Sequence, residues 1–251
     1  MSSLQWPSLA ILLILYAWPP LLQAGEFTIN PVMVSLDRSV RSGELLVRND
    51  DTAPLRMQVD AMTWRQDAEG KDQYEPADGL IYFPRAMELA PGESRIVRVG
   101  VKASPVAQEE SYRVFIEELP PAEPGTQAQG ASLRVFLRVG VAVFVAPAKV
   151  SKAGEITSLG VRGGAAEWSV TNTGNVHFRT DQVTLAGVAR DGSVLFTHEF
   201  PERYFLPGVM KKLKFDIPHG TCARLATLEA SVVGDGLDLR RKLDVDAGSC
   251  S

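Results

Sequence analysis

Apolar and polar residues alternate with a period of two along most of the chain, and apolar positions at helical spacing are scarce. A period of two sends successive side chains to opposite faces of a strand. Leu55, Met57, Val59 and Ala61 alternate with Arg56, Gln58 and Asp60. The apolar stretch Leu45-Leu46-Val47 ends, after Arg48, at the turn cluster Asn49-Asp50-Asp51. Ala90-Pro91-Gly92 reads as a turn before a strand over Arg95–Val101, and Pro120-Pro121 stops a strand over Ser111–Leu119. Arg65 to Gly79 reads as a polar loop. After Pro147 the pattern restarts. Glu167–Thr171 ends at Asn172-Thr173-Gly174-Asn175, and two hairpin signals follow, Asp191-Gly192 and Gly234-Asp235-Gly236. Short strands punctuated by Pro, Gly, Asn and Asp predict an all-β chain. Two antiparallel β-sandwiches in series, divided near Ala146-Pro147-Ala148, fit the pattern better than one large barrel.

One segment stands apart. Leu133 to Val145 alternates over thirteen residues, with Leu133, Val135, Leu137, Val139, Val141, Val143 and Val145 on one face. The other face carries Arg134, Phe136, Arg138, Gly140, Ala142 and Phe144. Strands usually run about five or six residues. Periodicity leaves two readings open: a central strand covered on both faces, or an edge strand available for β-strand addition to a partner.

Residues 1–24 carry no charged side chain, and Leu9–Ala17 is an uninterrupted apolar run. Pro19-Pro20 breaks the run, and Leu22-Gln23-Ala24 precedes the first acidic residue, Glu26. This is the pattern of a secretory signal cleaved after Ala24. The run falls short of the roughly 20 residues that span a bilayer. An exported protein meets an oxidising compartment, so the two cysteines, Cys222 and Cys250, are candidates for a disulfide; free thiols remain the alternative.

Composition narrows the function. Of 251 residues, 26 are Lys or Arg and 30 are Asp or Glu, giving a net charge of -4. That balance argues against a nucleic-acid binder and against polybasic membrane attachment. The nucleophile elbow GxSxG, the zinc motif HExxH and the phosphate loop GxxxxGK[ST] are all absent from the sequence. His177, His198 and His219 are scattered without metal spacing. Trp64 and Trp168 read as sandwich core, and Lys211, Lys212 and Lys214 as a solvated basic face.

Several segments, in order, resemble a PapD-like periplasmic pilus-assembly chaperone. Asn30–Leu36 is similar to that family's first strand, and Leu46–Asp50 to the strand and turn that follow. Ala61-Met62-Thr63-Trp64 is similar to the strand ending in Trp, and Leu89–Arg98 to the Pro-Gly turn with its Arg-bearing strand. Tyr112–Phe115 with Glu117–Pro121 resembles the sixth strand, and Val141–Pro147 the end of the seventh. The resemblance covers essentially the chain beyond residue 24 and is closest to the archaic, spore-coat-U-like branch.

It implies two immunoglobulin-like sandwiches set at an angle: residues 25–147, carrying a subunit-binding donor strand, and residues 148–251. It implies a chaperone that lends its seventh strand to pilin or fimbrial subunits and delivers them to an outer-membrane usher. No nucleotide, metal, other cofactor, small-molecule substrate or nucleic acid is implied, and whether the free chaperone self-associates to hide its apolar strand is left open. Leu133, Val135, Leu137, Val139 and Val141 are the donor residues on this reading. Family members bind the subunit's C-terminal carboxylate with an Arg on the first strand and a Lys on the seventh. Those positions here are Met33 and Ala142, which cannot hold a carboxylate. Arg113, on the strand expected to pair with the donor strand, is the candidate replacement; an ion pair with Glu117 or Glu118 is the alternative role for it. The rival functions are a periplasmic immunoglobulin-like scaffold or adhesion module without strand donation, and a pilus structural subunit, which would be a single sandwich.

Overall fold

The computed structural model describes residues 26–67, 69–102, 107–120, 135–218 and 220–246. The proposed signal segment, Leu133, Arg134, His219 and Cys250 therefore lie outside the described residues.

The first half of the chain supplies β1 (Phe27–Asn30), β2 (Met33–Leu36), β3 (Ser42–Asn49), β4 (Leu55–Gln66), β5 (Asp72–Pro76), β6 (Leu80–Phe83), β7 (Ala86–Leu89), β8 (Ser94–Val101), β9 (Glu110–Leu119) and β10 (Arg138–Val145). One sheet has the order β1-β3-β8-β6. The facing sheet has the order β2-β10-β9-β4-β5, with β7 also paired to β4. Pairing is antiparallel except between β2 and β10, which run parallel. The inward residues that the alternation predicts, Leu45 and Val47, Met57 and Val59, Val97 and Val99, close into one buried core. Each inward aliphatic side chain removed from water contributes about 1.5–3 kcal/mol.

The second half supplies β11 (Gly154–Arg162), β12 (Ala165–Asn172), β13 (Phe178–Arg179), β14 (Gln182–Ala189), β15 (Val194–Glu199), β16 (Tyr204–Phe205), β17 (Met210–Asp216), β18 (Leu225–Gly234) and β19 (Leu237–Asp244). Sheets β11-β12-β17 and β15-β14-β18-β19 enclose a second core around Trp168, Phe178, Leu185 and Leu228, and β13 pairs with β16. Gly187 is where Phe196 packs flat on the β14 backbone; a Cβ there would overlap the ring. Among the described residues, no strand of 154–244 joins a sheet of 27–145.

Both sandwiches use one local device. Asn49 ends β3 fully buried, and its amide donates to the carbonyls of Ala53 (2.8 Å) and Leu89 (3.0 Å) while its side-chain oxygen accepts from Asp51 N–H (2.8 Å). Asn172 ends β12 and does the same with Val176 (2.9 Å), Phe205 (2.8 Å) and Gly174 (2.9 Å). Each asparagine backbone also locks a Pro-Gly turn, at Gly92 and at Gly208. The turn clusters in the sequence are therefore strand ends tied to a second loop, since a buried amide needs its donors and acceptor satisfied.

Three expectations change. The polar loop over 65–79 is instead a hairpin of β4 and β5, registered from Met62 opposite Pro76 to Gln66 opposite Asp72. All five β5 residues are exposed, so no apolar alternation marked the strand. Its turn is held by Asp67, whose carboxylate accepts the N–H groups of Glu69 (3.1 Å) and Lys71 (2.9 Å). Lys211 is not on a solvated face: it is 2% exposed, ion-paired to Glu202 and directed at the Phe205 ring. Burial of an ammonium requires such a partner. Trp168 is core, but Trp64, on β4, is buried outside the first core, in the cluster that joins the two halves. Cys222 is disulfide-bonded.

Candidate functional site: an open strand edge beside an aromatic cup

The expected thirteen-residue strand is shorter as built. Among the described residues it begins at Arg138, and Val135–Leu137 lead into it without strand geometry. β10 pairs with β9 along its whole length, from Arg138 opposite Glu117 to Val145 opposite Glu110. On its other side β2 covers only Ala142 to Val145. The two readings left open by periodicity therefore apply to different halves: 142–145 is central, and Arg138–Val141 is an edge among the described residues.

Backbone direction follows from one bond. Glu118 N–H donates to Leu137 C=O (2.9 Å), so 137, 139 and 141 turn their backbone groups toward β9. Arg138 and Gly140 then turn theirs toward the open side. The next residue in that series, Ala142, donates its N–H to Val32 C=O (3.3 Å), where the chain enters β2. The open edge thus stops at a defined point.

Side chains grade along the strand. Val135 is 41% exposed, Leu137 and Val139 are half-buried, and Val141 is fully buried in the first core. Leu137 and Val139 share the face of Val141, Val143 and Val145, so the apolar row runs continuously from solvent into the core.

The opposite face holds the cup. Met33, Ala142 and Arg113 stand side by side across β2, β10 and β9. Arg113 is half-buried. Its Nη1 donates to Gly140 C=O (3.2 Å), and its guanidinium carbon lies 3.8 Å from the Trp64 ring centre and 5.5 Å from that of Tyr204. Gly140 leaves the room: a Cβ there would stand 3.0 Å from the Phe115 ring and 3.6 Å from Arg113 Cδ. Tyr74 completes the surround. It packs edge-on against Phe115 (5.1 Å) and donates its hydroxyl to Asp72 (3.0 Å). Burial, then the Asp72 carboxylate, push the Tyr74 phenol above its ordinary range, against the opposing pull of Arg113.

No carboxylate among the described residues pairs with Arg113. Glu117 binds Arg138 instead (3.3 Å), whose guanidinium also covers Phe115 at 4.0 Å, and Glu118 faces the core side of the sheet. A guanidinium stacked on an aromatic face and lacking a counter-ion keeps a forked set of donors for a carboxylate.

The cup sits at the joint between the sandwiches. Trp64, Ala142, Phe144 and Leu206 form one buried cluster, with Met33, Tyr204 and Val209 against it. His177 stacks on Phe144 at 3.6 Å, and Glu109 accepts its backbone N–H (3.0 Å) and meets its Nδ1 (2.7 Å). Leu206 N–H donates to Gln66, and Gln108 to Pro207 C=O (both 3.2 Å). Beside this joint lies a cleft of about 660 Å³ lined by Trp64, Gln66, Gln108, Glu110, Pro207 and Met210. Sequence reasoning missed Glu109, His177 and Tyr204 as a set, because contacts between sandwiches leave no periodic mark, and missed Tyr74 because β5 carries no alternation.

Residues 26–151 match the model of the pili and flagellar-assembly chaperone family, PapD N-terminal domain. The chain belongs to this family. Among solved structures, the chaperone–tip adhesion subunit complex CsuC–CsuE from the archaic Csu pili of Acinetobacter baumannii matches with a TM-score of 0.58 at 16% identity, covering 86% of this chain and 97% of that one. The class 5 fimbriae chaperone CfaA gives 0.55 at 15% identity, covering 88% and 100%. The SafB chaperone, solved with the SafA pilin of Salmonella enterica, gives 0.54 at 15%, covering 88% and 98%. At such identities the likeness establishes the fold, a two-sandwich chaperone fold. Comparison with curated protein sequences gives no match.

Proposed function

We propose that this pilus-assembly chaperone captures pilin subunits in the periplasm by donor-strand complementation and passes them to an outer-membrane usher. The observation that carries the reading is the β10 edge, open from Arg138 to Val141 and continuous with an apolar row that emerges from the core. A subunit lacking a strand exposes apolar groove and unpaired backbone, and a lent strand satisfies both. Leu133, Val135, Leu137 and Val139 fill the groove on this reading, each contributing about 1.5–3 kcal/mol when buried. Val141 serves from within the first core, as the root of the row.

The end of the open edge supports Arg113 as the carboxylate anchor. A strand paired along Arg138–Val141 meets β2 at Ala142 and must stop there. Its terminus then lies beside Gly140, whose carbonyl already holds the Arg113 guanidinium. A terminal carboxylate is the chemistry that this guanidinium fits. We place the subunit-binding domain at residues 25–147, after a signal segment of 24 residues, and pair Cys222 with Cys250.

The test is co-purification from the periplasm of the native host under pilus-producing conditions. Wild-type protein should carry a stoichiometric small β-rich partner, and a folded Leu137→Arg variant should lose it. A wild-type protein that emerges as a clean monomer would favour a scaffold without strand donation. Emergence as a dimer of itself would show the edge occupied by a second copy.

A further inference from the structure

The residue that closes the cup over Arg113 comes from the other sandwich. Tyr204 opens β16, and its backbone is fixed by pairing with Arg179 of β13. Its ring stands edge-on to Trp64 at 5.3 Å and 5.5 Å from the Arg113 guanidinium carbon. It also packs 6.1 Å from Phe144 and 6.0 Å from His177, the ring that Glu109 holds. Arg113 therefore has one aromatic wall from its own sandwich and one from the second. The ring makes these contacts, so the hydroxyl is dispensable for them.

We propose that Tyr204 is a positioning residue for Arg113, and that through it the second sandwich governs how firmly a subunit terminus is held. The inference rests on Arg113 being the carboxylate anchor. Arg113 is a long side chain with many rotamers, and contact with two adjoining rings keeps its fork at the end of the open edge. Without Tyr204 the guanidinium keeps Trp64 and Gly140 but loses its second wall and swings. The rigid docking of β16 on β13 makes the position of that wall a property of the joint between sandwiches.

The experiment compares capture by wild type, Tyr204→Phe, Tyr204→Leu, Arg113→Ala and the Tyr204→Leu/Arg113→Ala double variant. The probe is the subunit that co-purifies with wild type, made with its native C-terminus and with two added glycines that displace the carboxylate. With the native terminus, Tyr204→Leu should lower captured subunit roughly fivefold, while Tyr204→Phe stays within about twofold of wild type. The double variant should fall no lower than Arg113→Ala alone, the non-additivity expected of residues acting as one unit. With the extended terminus, wild type and Tyr204→Leu should capture equally.

A purely structural role for Tyr204 would lower capture of both subunit forms and add to Arg113→Ala, and either result would overturn the proposal. So would full capture by a folded Tyr204→Leu variant, or an Arg113→Ala variant that still captures the native terminus better than the extended one, since another group would then hold the carboxylate. If Tyr204→Leu does not fold, Tyr204→Met reads the same comparison. Failure of the strand-donation reading looks different: a folded Leu137→Arg variant captures both forms as wild type does.

Discussion

A guanidinium stacked on Trp64 with Tyr204 adjoining, hydrogen-bonded to Gly140 and without a carboxylate partner among the described residues, is poised for an external anion. Hydrogen bonds to charged groups contribute about 1.5–3 kcal/mol, so Arg113→Ala should lower captured subunit by about tenfold or more while the free protein melts nearly as before. Unchanged yield from a folded variant would leave the anchor elsewhere. Glu118 presents the opposite case. It faces the core side of β9, in register between Leu137 and Met57, is 8% exposed, and its Oε2 has no hydrogen-bond partner among the described residues. A buried polar group left unmatched costs about 1–3 kcal/mol, so Glu118→Met should raise the stability of the free protein by about that amount in chemical denaturation. A drop would mean that the carboxylate has a stabilising role. From sequence Glu118 was named only as an alternative ion-pair partner of Arg113, a role that its position on the core side of β9 excludes, and Tyr204 acquires meaning only once two sandwiches meet.

Strand positions were the most legible part of the chain, because one buried face imposes a period of two. The hairpins around Gly192 and Gly236 lie where their turn residues put them. The β4–β5 hairpin was illegible, since a strand exposed on both faces carries no alternation. The apolar row of the seventh-strand region was legible, but its division into an open and a covered half was not. That division depends on where β2 stops, a register fact that side-chain pattern does not encode. Asn49 and Asn172 read as turn residues, yet each ties a strand end to a second loop through buried bonds. Replacing either with Ala strands two carbonyls and one N–H, and should cost at least about 2 kcal/mol in its own sandwich. Urea titration of both variants checks this, and a loss below about 0.5 kcal/mol would contradict it.

At the scale of the molecule, the joint is a small apolar cluster clasped by polar contacts, not an extended surface. Phe144 is its hub, stacked on His177 and packed near Trp64 and Tyr204. Because Phe144 lies on the strand that also carries the open edge, the joint and the proposed capture site share one element. Phe144→Ala should cost about 3–5 kcal/mol by cavity formation and split thermal unfolding into two transitions. A single transition at the wild-type temperature would show that the cluster does not couple the sandwiches. The central claim is that β10 lends its open edge to a subunit, and amide hydrogen exchange reads that edge directly. In the purified chaperone–subunit complex, the N–H groups of Arg138 and Gly140 should become strongly protected relative to free chaperone, while Val139 and Val141, already bonded to β9, change little. A stable complex in which Arg138 and Gly140 exchange as fast as in the free protein would contradict strand donation.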